Sequence, residues 1–356
     1  MSAPRLEVDL TLVEANARSL VTRLAPRGIG VTAVTKALLG SETLARAVLA
    51  AGVTGLGDAR VANVARLRAG GLDAPITLIR SSMPSEVAAV VATCDTSLET
   101  EPTVLAALSV AALAAGRVHG VVLMVELGDL REGILGADLE GIARLVLDLE
   151  GLELHGIGTN LACRSGVVPD ERNMAELSAH AAAVEARLGV HLRTVSGGSS
   201  ANLGWALAAA EVGRVDDLRI GEAILLGRDP TDRRPIAGLR TDAIAIVAEV
   251  IESKVKPSVP WGDRGESAFG IPAATTHRGD IVQTILAIGR QDVDVDDLTA
   301  PPGVTILAAS SDHLVVETLG LLAPGAELSF RPGYAALLRA ATSPFVHLDL
   351  VGAATS

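Results

Sequence analysis

Along roughly the first 225 residues, short apolar and β-branched runs alternate with longer segments in which apolar positions recur every three to four residues. The runs cover residues 31–36, 55–58, 76–80, 96–98, 121–127, 154–160, 194–197 and 218–221. Helical periodicity marks residues 42–51, 61–69, 86–93, 103–114, 139–149, 170–188 and 201–209 between them. Runs that are apolar throughout, rather than on alternate positions, suit parallel strands covered on both faces. Eight such units in this length predict an α/β protein built on a (β/α)8 TIM-type barrel, in preference to a doubly wound open sheet.

After Gly227 the texture changes. A polar turn over 228–235 leads into strand-like runs at 243–251, 281–288, 304–308, 313–318, 326–330 and 346–351, punctuated by Pro and Gly, with one helix-like stretch at 334–341. The reading is a barrel over residues 1–228 followed by a mainly β C-terminal domain over 229–356. The opening strand at 6–10 is a candidate to join that second domain.

Composition narrows the function classes. A chain of 356 residues is long enough that core burial does not limit folding. With 49% hydrophobic residues but only two Trp, three Phe and one Tyr, the core must be aliphatic, and any tyrosine chemistry falls to Tyr334. A net charge of -12 argues against a nucleic-acid partner or an anionic membrane. The two cysteines allow at most one bridge, no leader-like N-terminus is visible, and no 18-residue charge-free stretch has spanning character. These features predict reduced thiols and a cytoplasmic location.

In a barrel of this type, chemistry sits at the C-terminal ends of the strands. Lys36 closes the first run, where apolar walls would lower its pKa and favour an amine able to form a Schiff base. Standing alone it reads as a snorkelling strand-end lysine. The sixth run ends at Asn160, with Cys163 shortly after. The seventh leads into Ser196-Gly197-Gly198-Ser199-Ser200-Ala201-Asn202, a Gly/Ser cluster suited to a phosphate but also common in ordinary loops. The eighth carries Arg219. Together, an amine nucleophile and a phosphate grip suggest pyridoxal 5'-phosphate. Arg131, after the fifth run, reads either as a fork for a carboxylate or the phenolic oxygen of that cofactor, or as a loop ion pair with Asp129 or Glu132.

These segments resemble the alanine racemase-like enzymes of pyridoxal-phosphate fold type III, and most closely their alanine/ornithine racemase branch. The resemblance rests on Val34-Thr35-Lys36, Gly57-Asp58-Ala59-Arg60, Leu78-Ile79-Arg80-Ser81, residues 125–134, 158–163, 196–203 and 218–227, Gly289-Arg290-Gln291-Asp292-Val293, and Ser310-Ser311-Asp312-His313-Leu314. It implies a homodimer in which each β-domain completes the partner's barrel mouth. By position, it implies that Lys36 holds the cofactor and exchanges the α-proton on one face. Arg219 would face the pyridine nitrogen, Asn160 would lie against the ring, and Ser199, Ser200, Gly221 and Tyr334 would serve the phosphate. Arg131 and Ser311 would meet the substrate.

Two departures matter. Phe269, in Ala268-Phe269-Gly270, stands where the family's second base is a tyrosine, and Ser267 stands where the branch often carries an aspartate. Asp312 or His313 is therefore expected to serve as the second acid/base, with Cys163 a third candidate. The implied activity is an amino-acid racemase working by two-base proton transfer. Its rivals are a fold type III aldolase or decarboxylase and a non-catalytic cofactor carrier. No metal-ligand spacing is visible among His277, His313 and His347.

Overall fold

A computed structural model describes residues 3–270 and 276–352 and divides them into two compact units, one spanning Thr11–Thr241 and the other combining Met1–Leu10 with Asp242–Ser356. In the first unit eight parallel strands close into a barrel: β2 (Gly30–Val34), β3 (Gly55–Asp58), β4 (Ile76–Leu78), β5 (Thr96–Glu99), β6 (His119–Met124), β7 (Leu152–Gly158), β8 (Thr194–Ser199) and β9 (Asp217–Ile220). Closure is made by β2 pairing with β9, with Thr32 opposite Arg219 and Ala33 opposite Ile220. The strands are short and mostly buried, β3 and β6 over their whole length, which is why they read as apolar runs.

Helices follow the strands and present one apolar stripe to them. Helix Glu171–Leu188 buries Met174, Leu177, Ala181 and Val184 at helical spacing. A reciprocal cap starts it, Asp170 accepting from the Asn173 N–H and Asn173 accepting from the Asp170 N–H, and Gly189 ends it in the left-handed region.

The second unit is an eight-stranded, mostly antiparallel sheet. Its main path runs β12 (Leu298–Thr299), β15 (Glu327–Pro332), β10 (Ile244–Pro257), β11 (Asp280–Leu286), β14 (Leu314–Thr318) and β13 (Val304–Ala309). The opening strand β1 (Arg5–Asp9) belongs here, antiparallel to β10 and parallel to β16 (His347–Val351).

The division falls at Thr241/Asp242, not at 228. The polar, Pro-rich segment after Gly227 returns to the barrel unit instead of leaving it: Arg228 bridges to Pro235, and the Ile236 N–H donates to Gly227 O. Buried Asn16 then binds both sides of Arg240, accepting from its N–H and donating to its carbonyl. Among the described residues, no helix is long and apolar enough to cross a membrane.

Candidate active site

Lys36 lies two residues beyond β2, as the first residue of a 3-10 turn, Lys36–Leu38, rather than within the strand. The preceding Thr35 is buried, and its hydroxyl donates to Asp58 at 2.7 Å. Asp58 is itself buried at the end of β3, where it also accepts from Asn63 Nδ2 and the Arg60 N–H, each at 3.0 Å. Burial pushes the Asp58 carboxyl up in spite of those donors. This network, anchored on the neighbouring strand, fixes the backbone that carries Lys36.

The half-buried Lys36 ammonium is held below the usual lysine range. Burial is the main cause; Arg131 and Arg219 add to it, while Cys163 and Asp58 oppose it. A larger neutral fraction near pH 7 is what a nucleophilic or proton-accepting amine requires. Arg219 is buried on β9, next to β2, and burial lowers its pKa as well. It donates to Ser196 Oγ at 2.5 Å and to Thr159 O at 2.7 Å.

The loops after β8 and β9 meet beside these two cations. Gly198 has φ of 136°, in the region that favours glycine, and a Cβ there would fall 2.2 Å from Asn202 Oδ1. That same Oδ1 accepts from the Ser199 N–H, and Asn202 Nδ2 donates to Gly197 O, so Asn202 clamps the turn from within. Ser200 Oγ accepts from the Ala223 N–H at 3.2 Å and ties this turn to the one at Gly221, where a Cβ would lie 3.0 Å from Val34. Ser199, Ser200 and Gly221 therefore converge at one end of the barrel.

Asn160 follows β7, and its Nδ2 is buried without a hydrogen-bond partner among the described residues, which leaves a donor open to an acceptor. Arg131 is ion-paired with Glu132 through both Nε and Nη2, so the loop pairing is realised with Glu132 and not with Asp129. Asp129 instead accepts from the backbone N–H groups of Cys163, Arg164 and Ser165, binding the loop after β7 to the loop after β6. Burial opposes its ionisation, yet these donors hold it below the usual carboxylate range. Cys163 is exposed, and no disulfide joins it to buried Cys94.

Ser311, Asp312, His313 and Tyr334 belong to the second unit. Asp312 is exposed and accepts from Ser311 Oγ at 3.0 Å and Ser310 Oγ at 3.2 Å, while His313 Nδ1 stands 3.0 Å from it. These contacts, Ser311 first and then His313, hold its carboxyl below the ordinary range. The turn is seated on Gly289-Arg290-Gln291, whose Arg290 and Gln291 N–H groups donate to the Ser310 and Ser311 carbonyls. Tyr334 is half-buried at the start of helix Tyr334–Thr342. Phe269 lies under the Arg290 guanidinium, 5.4 Å from its ring centroid, and Ser267 closes a local turn by donating to Gly270 O.

The structure thus gathers Lys36, Arg131, Asn160, Ser199, Ser200, Arg219 and Gly221 in one unit and keeps Ser311, Asp312, His313 and Tyr334 in the other. Sequence reasoning assigned no role to Asp58, Asn202 or Ser196, and considered Asp129 only as an ion-pair partner. All four lay inside matched segments, and a polar residue at a strand end was the available signal.

Residues 8–229 match the family described as Alanine racemase, N-terminal domain. The chain is 37% identical to a lysine racemase of Thermotoga maritima, over 97% of this chain and 98% of the relative. It is 33% identical to an ornithine racemase of Acetoanaerobium sticklandii, over 98% and 99% of the two chains. Its fold resembles that of an alanine racemase from Streptomyces lavendulae, with a TM-score of 0.76, 22% identity, and 99% and 98% coverage.

Proposed function

The chain belongs to the alanine racemase family and is an amino-acid racemase, an isomerase; from that premise we propose that it uses pyridoxal 5'-phosphate, acts as a cytoplasmic homodimer, and takes lysine and ornithine as the first substrates to test. The names of its two relatives support that substrate class. The single observation that carries the cofactor reading is the placement of a pKa-lowered lysine just beyond β2 beside a buried arginine on the adjacent β9.

The residues fit the cofactor. Lys36 Nζ supplies the amine for covalent attachment, and Ser199, Ser200 and Gly221 bound a cradle for the phosphate, with Tyr334 a further phosphate ligand. The orphaned Nδ2 of Asn160 would find its acceptor at the ring. Arg219 would face the ring nitrogen as a group that cannot readily give up a proton, which leaves that nitrogen largely unprotonated. When bound, the cofactor supplies the electron sink that stabilises negative charge at the substrate Cα.

Lys36 Nζ then moves the α-proton on one face. The opposite face needs a second group, and Phe269 has no proton to move. We assign this task to the Asp312–His313 pair of the partner subunit. The Asp312 carboxylate accepts from Nδ1, which orients the ring and leaves Nε2 of His313 to exchange the proton. Arg131 and Ser311 would orient the substrate carboxylate.

Incubation with the cofactor and separate L-amino acids in deuterium oxide tests this reading. It predicts α-deuteration with optical inversion, fastest for lysine or ornithine. Exchange without inversion would remove the two-base mechanism.

A further inference from the structure

Arg219 is 5% exposed, and its guanidinium is hydrogen-bonded to no carboxylate among the described residues. Its nearest hydrogen-bonded link to a negative charge runs through one hydroxyl. Ser196 Oγ accepts from Arg219 Nη1 and donates to Asp217 Oδ2, both at 2.5 Å, and Thr32 Oγ1 donates to the other Asp217 oxygen at 2.7 Å. The chain is built into the strand register. Ser196 pairs with Asp217 across β8 and β9, and a register shift then brings Ser199 opposite Arg219. Thr32 stands opposite Arg219 on β2.

This array is not sealed. Thr32, Thr96, His155, Ser196, Asp217 and Arg219 border an open pocket of about 420 Å3 at the N-terminal ends of the barrel strands, enough for several waters. Waters there can solvate the Asp217 carboxylate. Its charge reaches the buried guanidinium as a directional hydrogen bond through Ser196.

We propose that Asp217, acting through Ser196, is the positioning residue for Arg219: it holds the guanidinium in one orientation, so that its remaining N–H groups present a fixed donor to the cofactor ring. This rests on the assignment of Arg219 to the ring nitrogen. It goes further by placing control of the ring's electronic environment in a β8–β9 pair that touches neither cofactor nor substrate.

The test compares Ser196→Ala, Ser196→Thr, Asp217→Asn and the Ser196→Ala/Asp217→Asn double variant. Cofactor affinity and the absorption maximum of the bound cofactor are read, with circular dichroism of the apoprotein as the folding check. Ser196→Ala and Asp217→Asn should each weaken cofactor binding about tenfold and displace the absorption maximum, because an uncoupled guanidinium no longer presents one geometry. The double variant should be no worse than the weaker single, since both act on one chain of bonds. Ser196→Thr, which keeps a hydroxyl, should restore the wild-type band. Should Asp217→Asn fail to fold, the Ser196 pair alone decides the matter. Wild-type affinity and absorption in Ser196→Ala, or additive losses with an unmoved band, would overturn the relay while leaving the function intact. A wild-type protein that binds no cofactor, or a Lys36→Ala variant that keeps the bound-cofactor band, would overturn the functional reading and the relay with it.

Discussion

The mouth of the barrel and the turn at Ser310–His313 carry their polar groups in opposite ways. At the barrel, Lys36 and Arg219 are supported by hydrogen bonds that cross between strands: from Thr35 to buried Asp58 of β3 beside the one, and through buried Ser196 of β8 to half-buried Asp217 beside the other. At the turn, Asp312 and His313 are held by hydroxyls within two or three residues, and Asp312 faces solvent. Groups that must hold a cofactor are preorganised by the fold, at the cost of buried polar atoms that have to be satisfied. In the proposed site, groups that would meet a substrate from the partner subunit can be set by local hydrogen bonds alone, with their final surroundings supplied on assembly.

The sharpest division between the regions lies in what their loss does to the reaction. Lys36→Ala should lower racemisation by roughly 10⁴-fold or more and abolish the bound-cofactor absorption band, as expected for a group that serves both attachment and proton transfer. His313→Ala should cost about 10²- to 10³-fold in inversion. It should leave that band intact and retain one-sided α-proton exchange by Lys36, measured by mass spectrometry in deuterium oxide. Equal loss of exchange and inversion would erase the distinction between the two faces.

Stability should separate the regions just as clearly. Asp58→Ala strands Asn63 Nδ2 in a buried site, leaves the Thr35 hydroxyl only its 3.4 Å contact with Gly57 O, and should destabilise the barrel by about 2–4 kcal/mol, read as an earlier denaturation midpoint. Asp312→Ala, at an exposed turn, should leave the midpoint in place. If both acids cost the same, the contrast between a built site and a locally held one fails.

The smallest effect comes from a control pair on the barrel's outer layer. Glu185, on helix Glu171–Leu188, is held down at about 2 by hydrogen bonds from Arg214 and then the Leu192 N–H, against its partial burial, where an ordinary glutamate has 4.5. A depressed carboxyl stabilises the fold above its unfolded value and loses that contribution as the pH falls through the folded one. Glu185→Gln should therefore cost at most about 1 kcal/mol at neutral pH. The stabilities of wild type and variant should converge as acid titration approaches pH 2. A larger loss at pH 7 than that of Asp58→Ala would mean that surface pairs, not buried networks, govern this unit.

Much of the barrel was legible because its strands are covered on both faces, so that charges interrupting an apolar run stand out. Lys36 and Arg219 were visible on that account, and the glycines and serines at 196–200 because they break a strand pattern abruptly. The boundary at 228 was misplaced because polarity and proline content mark a turn but cannot show that Asn16, some 220 residues away in the chain, holds Arg240 to the barrel. The roles of Asp129, Asn202 and Asp58 were hidden for a related reason: each depends on which backbone N–H groups or side chains lie close in space. Asp129 in particular looked like the partner of Arg131, and the structure gives that place to Glu132.

In the proposed enzyme the barrel of one subunit and the Asp312–His313 turn of its partner make one active site. Complementation tests it most directly: Lys36→Ala and His313→Ala chains, each nearly inactive alone, are co-expressed and the racemase activity of the mixture is measured. A shared site predicts recovery of about one quarter of wild-type activity, since half of randomly paired dimers are hybrids and each hybrid contains one intact site of two. Activity no higher than that of either parent, in a mixture shown to contain hybrid dimers, would contradict it.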